Sequence, residues 1–263
     1  MSEGYDNNKK TEHKQYLYVI RQLARREIKH SNSSKYLGQF WNILTPFISM
    51  ITMAVIFAFV FKSDIREFMP YVFTGTIVYI FYDTAMSGAM RSLSGNKTLL
   101  IKTKLPVNLF VFEKIYVALI RMSFSLVGYV VILIVTGTMV GPFLALAPVG
   151  IIFAIFISLG IGKILAVINV YFADITHFYV VIMKLVYYAS ALFYKVERAS
   201  PAMQLVIGNN PIYLTIHFER ACILYNRMPE PQVWIKLIIY SVAIYIVGTL
   251  IFRKGTQDVV AKL

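Results

Sequence analysis

Six long apolar runs, separated by short polar segments, dominate the pattern along this chain. A helix needs about 20 predominantly apolar residues to cross the hydrocarbon core of a bilayer. Backbone polar groups in lipid must be satisfied within the protein, so repeated runs of this length indicate a bundle of helices. The predicted spans are Trp41–Phe61, Tyr71–Met90, Tyr116–Val135, Phe143–Val170, Phe178–Tyr194 and Val233–Phe252. The sequence therefore predicts an all-α polytopic membrane protein with six transmembrane helices.

The polar segments divide the chain into a transmembrane domain and its flanks. We predict the domain over 41–252, an N-terminal tail and interface helix over 1–40, and a C-terminal tail over 253–263. Segment 91–115 is too polar to cross and forms a basic connection between the second and third spans. Segment 198–232 holds apolar pieces interrupted by Pro and Asn, which predict short re-entrant helices on the outer side rather than a seventh crossing.

The distribution of positive charge predicts the orientation of the chain. The chain is 58% hydrophobic and 15% charged, with a net charge of +13. With the N-terminus placed inside, 16 Lys and Arg fall in the predicted cytoplasmic segments and six in the outer ones. This positive-inside bias predicts that both termini are cytoplasmic. The charge therefore reports orientation, and we expect no nucleic-acid partner.

The N-terminal segment 1–40 changes from polar to amphipathic near its middle. Its basic side chains Arg25, Arg26 and Lys29 alternate with apolar ones. Such a pattern is typical of a helix that lies in the membrane interface with its cations toward anionic lipid headgroups. An ordinary solvated stretch beside the membrane is the alternative interpretation.

Five charged side chains fall inside the predicted spans, and four of them lie deep enough to need a local explanation. Asp83 lies near the middle of a span, where an unpaired charge is costly. It is interpreted either as a gate or substrate contact, or as a structural acid that pairs with Lys184 or is protonated. Arg121 and Lys163 lie nearer the predicted inner interface, and we expect both to snorkel toward it.

Tyrosines cluster in the second and fifth spans. Flat aromatic rings with a polar rim suit stacking against sugar rings in a conduit, although Tyr and Trp also form ordinary belts at the headgroup level. The candidate conduit residues are Tyr79, Tyr82, Tyr187, Tyr188 and Tyr194.

Motifs for enzymatic chemistry do not occur in the sequence. The string Gly95-Asn96-Lys97-Thr98 lacks the first glycine and the spacing of a phosphate-binding loop, and neither H-E-x-x-H nor G-x-S-x-G is found. We therefore expect no catalytic residue, metal or cofactor in this chain. If ATP drives transport, another subunit hydrolyses it.

Four short strings, in order along the chain, carry a resemblance to a known family. They are Leu37-Gly38 with Trp41 and Pro46, Leu100-Ile101-Lys102 with Pro106, Asn169 with Phe172 and Asp174, and Asn210-Pro211 with Arg220. Over its whole length the chain resembles the transmembrane subunit of ABC type-2 exporters, in the group that exports polysaccharides and polyol phosphates. That group moves O-antigen, capsule or wall teichoic acid precursors.

The resemblance implies an assembly and a mechanism. Two copies of the chain would combine with two nucleotide-binding ATPase subunits, which carry ATP and Mg, in a bacterial cytoplasmic (inner) membrane. The cargo would be a lipid-linked glycan, gathered by the basic interface helix. The segment implied to transmit motion from the ATPase contains Leu100, Ile101, Lys102, Lys104 and Pro106.

Other functions stay open at this point. Ser31-Asn32, Ala173 and Ser190-Ala191 depart from the family pattern, which leaves the cargo undecided. The runner-up within transport is an ABC type-2 permease for a small drug or lipid. Outside that class, the pattern leaves a membrane-embedded glycosyl- or phosphotransferase and a self-gated channel.

Overall fold

A computed structural model describes residues 15–29, 40–62, 64–103 and 105–256, with the backbone alone at 40–46, 61 and 198. Helices make up most of these ranges and no strand occurs in them, which confirms the all-α prediction for this part of the chain. The helices are α1 (residues 15–29), α2 (Phe40–Phe61), α3 (Ile65–Met90), α4 (Lys97–Lys102), α5 (Asn108–Thr136), α6 (Ala147–Tyr171), α7 (Ile175–Tyr188), α8 (Pro201–Gly208), α9 (Pro211–Ile223) and α10 (Pro231–Gly255).

Local sequence determines where several helices begin and end. Asp64 precedes α3, and its Oδ1 accepts a hydrogen bond from the backbone N–H of Arg66 at 2.9 Å. Helices α8, α9 and α10 each begin with a proline, whose missing N–H would have no partner in the first turn anyway. Helix α5 ends at Gly137, where φ is 69°, a left-handed conformation that glycine adopts without strain.

Helix α3 occupies the centre of the bundle. It packs against α2, α5, α6 and α9, while α10 packs mainly on α6. Its side chains Phe73, Phe81 and Tyr82 are among the largest that are fully buried. Lipid tails are as apolar as these rings, so close van der Waals packing, rather than exclusion from water, stabilises their burial within a membrane.

The contact between α6 and α10 depends on two glycines. A methyl group added at Gly248 would overlap the carbonyl oxygen of Gly160, and one added at Gly160 would overlap the carbonyl oxygen of Ile244. Small residues at such positions let two helix backbones approach closely, which is a common way for membrane helices to associate. The two backbones are therefore in direct contact along this seam.

Several helices have the length and composition needed to cross a bilayer. Among the described residues, three stretches qualify on both counts, namely Asn108–Thr136, Pro142–Tyr171 and Pro231–Gly255. Phe47–Val60 and Ile175–Tyr188 are apolar but shorter. The helical bundle with repeated long apolar helices is that of a polytopic membrane protein.

The predicted span boundaries differ from the helices, most clearly at the fifth span. That span was predicted over Phe178–Tyr194, but α7 ends at Tyr188 and the chain turns at Ala191, where φ is 46°. A prediction of one continuous helix to Tyr194 is therefore wrong. The helices of the second and third predicted spans, α3 and α5, begin earlier than predicted, at Ile65 and Asn108. Charged residues near their starts, such as Glu67 in α3 and Glu113 in α5, belong to the same helices.

Candidate functional site

The segment that joins α3 to α5 contains the short helix α4, whose faces differ in exposure. Leu100 is buried with 6% of its surface exposed, whereas Ile101 is 56% exposed. Lys102 and Pro106 are also exposed. Leu100 thus anchors the helix to the bundle, and its neighbours present an apolar and a basic side chain outward.

A hydrogen bond links this segment to the end of α6. Asn169 is buried, and its Nδ2 donates to the hydroxyl oxygen of Ser94 at 3.0 Å. Ser94 begins the turn that leads directly into α4. A movement of α4 would therefore be transmitted to the end of α6.

The guanidinium of Arg220, on α9, holds the turn that follows α7. Its Nη1 donates to the carbonyl oxygen of Ala191 and its Nη2 to that of Leu192, both at 3.0 Å. The same side chain is only 2% exposed, lies 3.4 Å from the ring centroid of Tyr71, and donates to the Tyr71 carbonyl. A methyl group at Gly75 would come within 2.7 Å of Nη2, so glycine leaves the space that the guanidinium fills.

Asn210 fixes the beginning of the same turn. Its Oδ1 accepts from the N–H of Ile212 at 3.0 Å, which caps α9, and Pro211 occupies the first helical position. Its Nδ2 donates to the carbonyl of Ala189 and to Ser190 Oγ, at 3.1 and 3.0 Å. Asn210 and Arg220 together therefore tie α9 to every residue from 189 to 192.

Asp83 has a different partner from the one predicted. Its Oδ1 accepts a hydrogen bond from the hydroxyl of Tyr179 at 3.0 Å. Lys184 is exposed, and the described residues show no ion pair between it and Asp83. The predicted pair is therefore wrong, because α7 turns Tyr179, and not Lys184, toward α3.

Lys163 is a second correction. We expected this side chain to snorkel, but it is 2% exposed and donates to Thr249 Oγ1 at 2.9 Å. Its ammonium also lies 4.4 Å from the ring centroid of Tyr245. The partners on α10 satisfy the cation inside the bundle, so it has no need to reach the interface.

The candidate conduit tyrosines do not share one surface. Tyr79 packs edge-on against Tyr187 with ring centroids 4.9 Å apart, and Tyr187 contacts Tyr188 at 5.6 Å. Tyr194 donates to the Tyr188 carbonyl at 2.7 Å. Tyr82, by contrast, is fully buried, and its hydroxyl lies 2.9 Å from Thr215 Oγ1. Three of the rings thus form one cluster, to which Tyr194 is joined by its hydrogen bond to the Tyr188 backbone. Within this group Tyr188 is 63% exposed, and Tyr82 belongs to the core.

Helix α1 is attached to the bundle through an ion pair. Glu27 pairs with Lys114 of α5, and the Lys114 ammonium also lies 3.2 Å from Glu113 Oε2. Arg25, Arg26 and Lys29, the predicted headgroup residues, are all exposed. The docked helix therefore keeps these three cations exposed.

Known proteins resemble this chain over most of its length. The family model described as ABC-2 type transporter matches residues 18–224, well over half of the chain. The chain belongs to the ABC-2 type transporter family. It is similar to the O-antigen export system permease protein RfbA of Myxococcus xanthus, with 24% identity across 93% of this chain and 95% of that protein. It is also similar to proteins of the same name from Klebsiella pneumoniae, with 20% identity across 88% of this chain and 90% of theirs.

Membership of the ABC-2 family confirms the resemblance drawn from the four strings. Proteins of this family are membrane subunits of transporters. Membership therefore implies an ATPase partner. The strings themselves fare differently in the structure. Asn169, Asn210 and Arg220 make the hydrogen bonds described above, whereas Phe172 and Asp174 are exposed at the turn into α7. Pro211 starts α9.

Some predicted residues cannot be placed in full. Gly38 and Lys104 lie outside the described residues, and Trp41 and Pro46 lie in α2 with only their backbone described.

Sequence reasoning also missed Glu219, which is 3% exposed beside Arg220. An acidic residue inside the mostly apolar helix α9 was the available signal.

Proposed function

We propose that this chain is the transmembrane subunit of an ATP-driven exporter for a lipid-linked polysaccharide or teichoic-acid-type polymer. Membership of the ABC-2 family supports a transport subunit driven by a partner ATPase. The nearly full-length similarity to proteins named O-antigen export system permease favours a glycan polymer as cargo. The working unit is then two copies of this chain with two nucleotide-binding subunits, which bind ATP and Mg, in the bacterial cytoplasmic membrane.

The proposed topology has six spans with both termini in the cytoplasm. Helices α2, α3, α5, α6 and α10 provide five spans, and α7 with the turn after it provides the sixth. Helix α7 has 14 residues and is therefore about 21 Å long, short of the roughly 30 Å core. Non-helical backbone at membrane depth is tolerated where protein surrounds it. Ala191 and Leu192 meet this condition, being fully buried and hydrogen-bonded to Arg220.

Helix α4 is the proposed contact with the ATPase. Its exposed Ile101 and Lys102 offer an apolar and a cationic contact, and buried Leu100 would transmit a push to the bundle. The bond from Asn169 to Ser94 gives a second connection, toward α6. This arrangement is the single observation that carries the proposal of a motor-driven subunit.

The exposed cations of α1 are proposed to gather the cargo. Arg25, Arg26 and Lys29 point away from the bundle at the same end as α4, since Glu27 beside them binds Lys114 near the start of α5. Arg and Lys are the usual partners of phosphate oxygens. A phosphate-linked lipid carrier in the inner leaflet would meet these side chains first.

Lys102→Glu tests the coupling directly. We expect the variant to fold and reach the membrane but to lose polymer export, because an acidic side chain replaces the cation offered to the ATPase. Export is measured as surface polymer on cells lacking the chromosomal copy, with protein amount read by immunoblot. Lys254→Glu, which makes the same charge change at an exposed position on α10, serves as the control. Wild-type export by Lys102→Glu would remove α4 from the coupling path.

A further inference from the structure

A crevice of about 540 Å³ lies between α5 and α6 and reaches inward to α3 and α9. Its walls are almost wholly apolar and include Ile77, Met122, Leu126, Leu133 and Ile151. Ile134, at its mouth, is 75% exposed, so the crevice opens to the outer surface of the bundle. A hydrophobic molecule can therefore enter it sideways, from the apolar surroundings of the protein.

One acidic side chain lines this apolar crevice. Glu219 of α9 is 3% exposed, and its Oε1 has no hydrogen-bond partner among the described residues. A methyl group added at Gly150 would overlap Oε1, so the carboxyl group lies directly against the α6 backbone. Buried carboxyl groups are normally paired or hydrogen-bonded, and Glu219 has neither kind of partner among the described residues.

The polar groups of Thr74 and Tyr129, which line the same crevice, and of the adjacent Arg220 are already committed to other partners. The Thr74 hydroxyl donates to the Pro70 carbonyl at 2.8 Å, and Tyr129 lies 2.6 Å from the same Thr74 oxygen. Because the Thr74 proton is used, Tyr129 donates to Thr74 and keeps no proton for Glu219. Arg220 directs its guanidinium to the carbonyls of Tyr71, Ala191 and Leu192. The described part of the chain thus supplies no cation or donor to Glu219.

We infer that this crevice binds a hydrophobic organic cation, an amine or quaternary ammonium on an apolar body, with Glu219 as its counter-charge. The apolar walls accept the body, and the unpartnered carboxyl group lacks only a positive charge. A lipid phosphate would bring a second negative charge to Glu219. An uncharged hydrocarbon would leave the carboxyl group as unpaired as before. The inference does not depend on the polymer proposed as cargo.

Isothermal titration calorimetry of the full chain in lipid nanodiscs tests the inference. The heat measured with empty nanodiscs is subtracted. The probes are decyltrimethylammonium and, as a neutral counterpart, 1-decanol. Glu219→Gln keeps the shape of the side chain. We expect it to weaken binding of decyltrimethylammonium at least about tenfold, as for loss of a desolvated ion pair. Its affinity for decanol stays unchanged. Glu197→Gln, at an exposed acid of the neighbouring connection, leaves both affinities as in the wild type.

A second measurement avoids any dependence on the variant. Dicyclohexylcarbodiimide modifies protonated carboxyl groups in apolar surroundings, and mass spectrometry of the digested wild-type protein reports the extent at Glu219. We expect decyltrimethylammonium to protect Glu219 and decanol to protect it much less. Equal affinity of wild type and Glu219→Gln for the ammonium probe would overturn the inference. So would modification of Glu219 that the ammonium probe does not reduce.

Discussion

Replacement of Arg220 by methionine tests how the turn after α7 is held inside the bundle. Methionine fills a similar volume but donates no hydrogen bond, so the carbonyls of Ala191 and Leu192 lose their partner. Within the described residues no other donor reaches these two oxygens. The positive φ of Ala191, 46°, adds strain that the guanidinium contact now offsets.

The expected cost can be estimated from the two lost partners. An unsatisfied buried carbonyl costs about 1–3 kcal/mol, so the pair costs about 4 kcal/mol. For a chain of this size, each kcal/mol lowers the melting temperature by about 2–4 °C, so we expect a decrease on the order of 10 °C. Loss of the cation–π contact with Tyr71 acts in the same direction.

Melting temperatures of the purified variants in one detergent provide the assay. Arg220→Lys keeps the charge but cannot reach both carbonyls with a planar fork, and we expect an intermediate value. Arg227→Met removes an exposed arginine from the connection between α9 and α10 and serves as the control. If Arg220→Met melts at the same temperature as Arg227→Met, the guanidinium does not hold this turn.

Two further predictions concern packing and docking. Gly248→Ala should separate α6 from α10, because its methyl group overlaps the Gly160 carbonyl, at a cost of about 1–3 kcal/mol. Thermal melting measures it against Gly208→Ala, where a methyl group meets nothing within 4 Å. Glu27→Lys should release α1 from Lys114 by removing a pair worth about 1 kcal/mol, so amide exchange over residues 15–29 rises roughly fivefold or more. Unchanged exchange would mean that apolar contacts alone dock the helix.

The extent of the helices was largely predictable, because apolar runs of sufficient length have few alternatives in a membrane. The end of α7 was not, because residues 189–194 are as apolar as the helix before them. The turn there depends on Arg220, which follows Ala191 by 29 positions in the chain. Hydropathy contains no information on a contact of that kind.

The partners of the charged residues inside the spans could also not be predicted from the sequence. Asp83 and Lys184 both lie in the middle of predicted spans, yet the rotation of α7 about its axis places Tyr179 against α3. Thr249 and Tyr245, the partners of Lys163, belong to a helix far along the chain. Nothing in the sequence indicated this contact, so Lys163 was expected at the interface. Pairing depends on which helix faces are in contact, and the spans alone do not fix that.

The strings that resemble the family were more informative than hydropathy about the candidate site. Asn210 and Arg220 could be singled out without a structure, and both donate hydrogen bonds to the turn after α7. The physical reason for their spacing is visible only in three dimensions. Asn210 caps α9 where it begins, and Arg220 returns to the same turn from three helical turns later.

The central claim is that this chain is the membrane subunit of an exporter driven by a separate ATPase. Affinity purification of the tagged chain from its native membrane, followed by mass spectrometry, tests it most directly. We expect a nucleotide-binding ATPase subunit to co-elute at one copy per copy of this chain, and to be lost from the Lys102→Glu variant. A chain that elutes alone and stably folded, with no nucleotide-binding protein at any ratio, would show that it is not the membrane subunit of such an exporter.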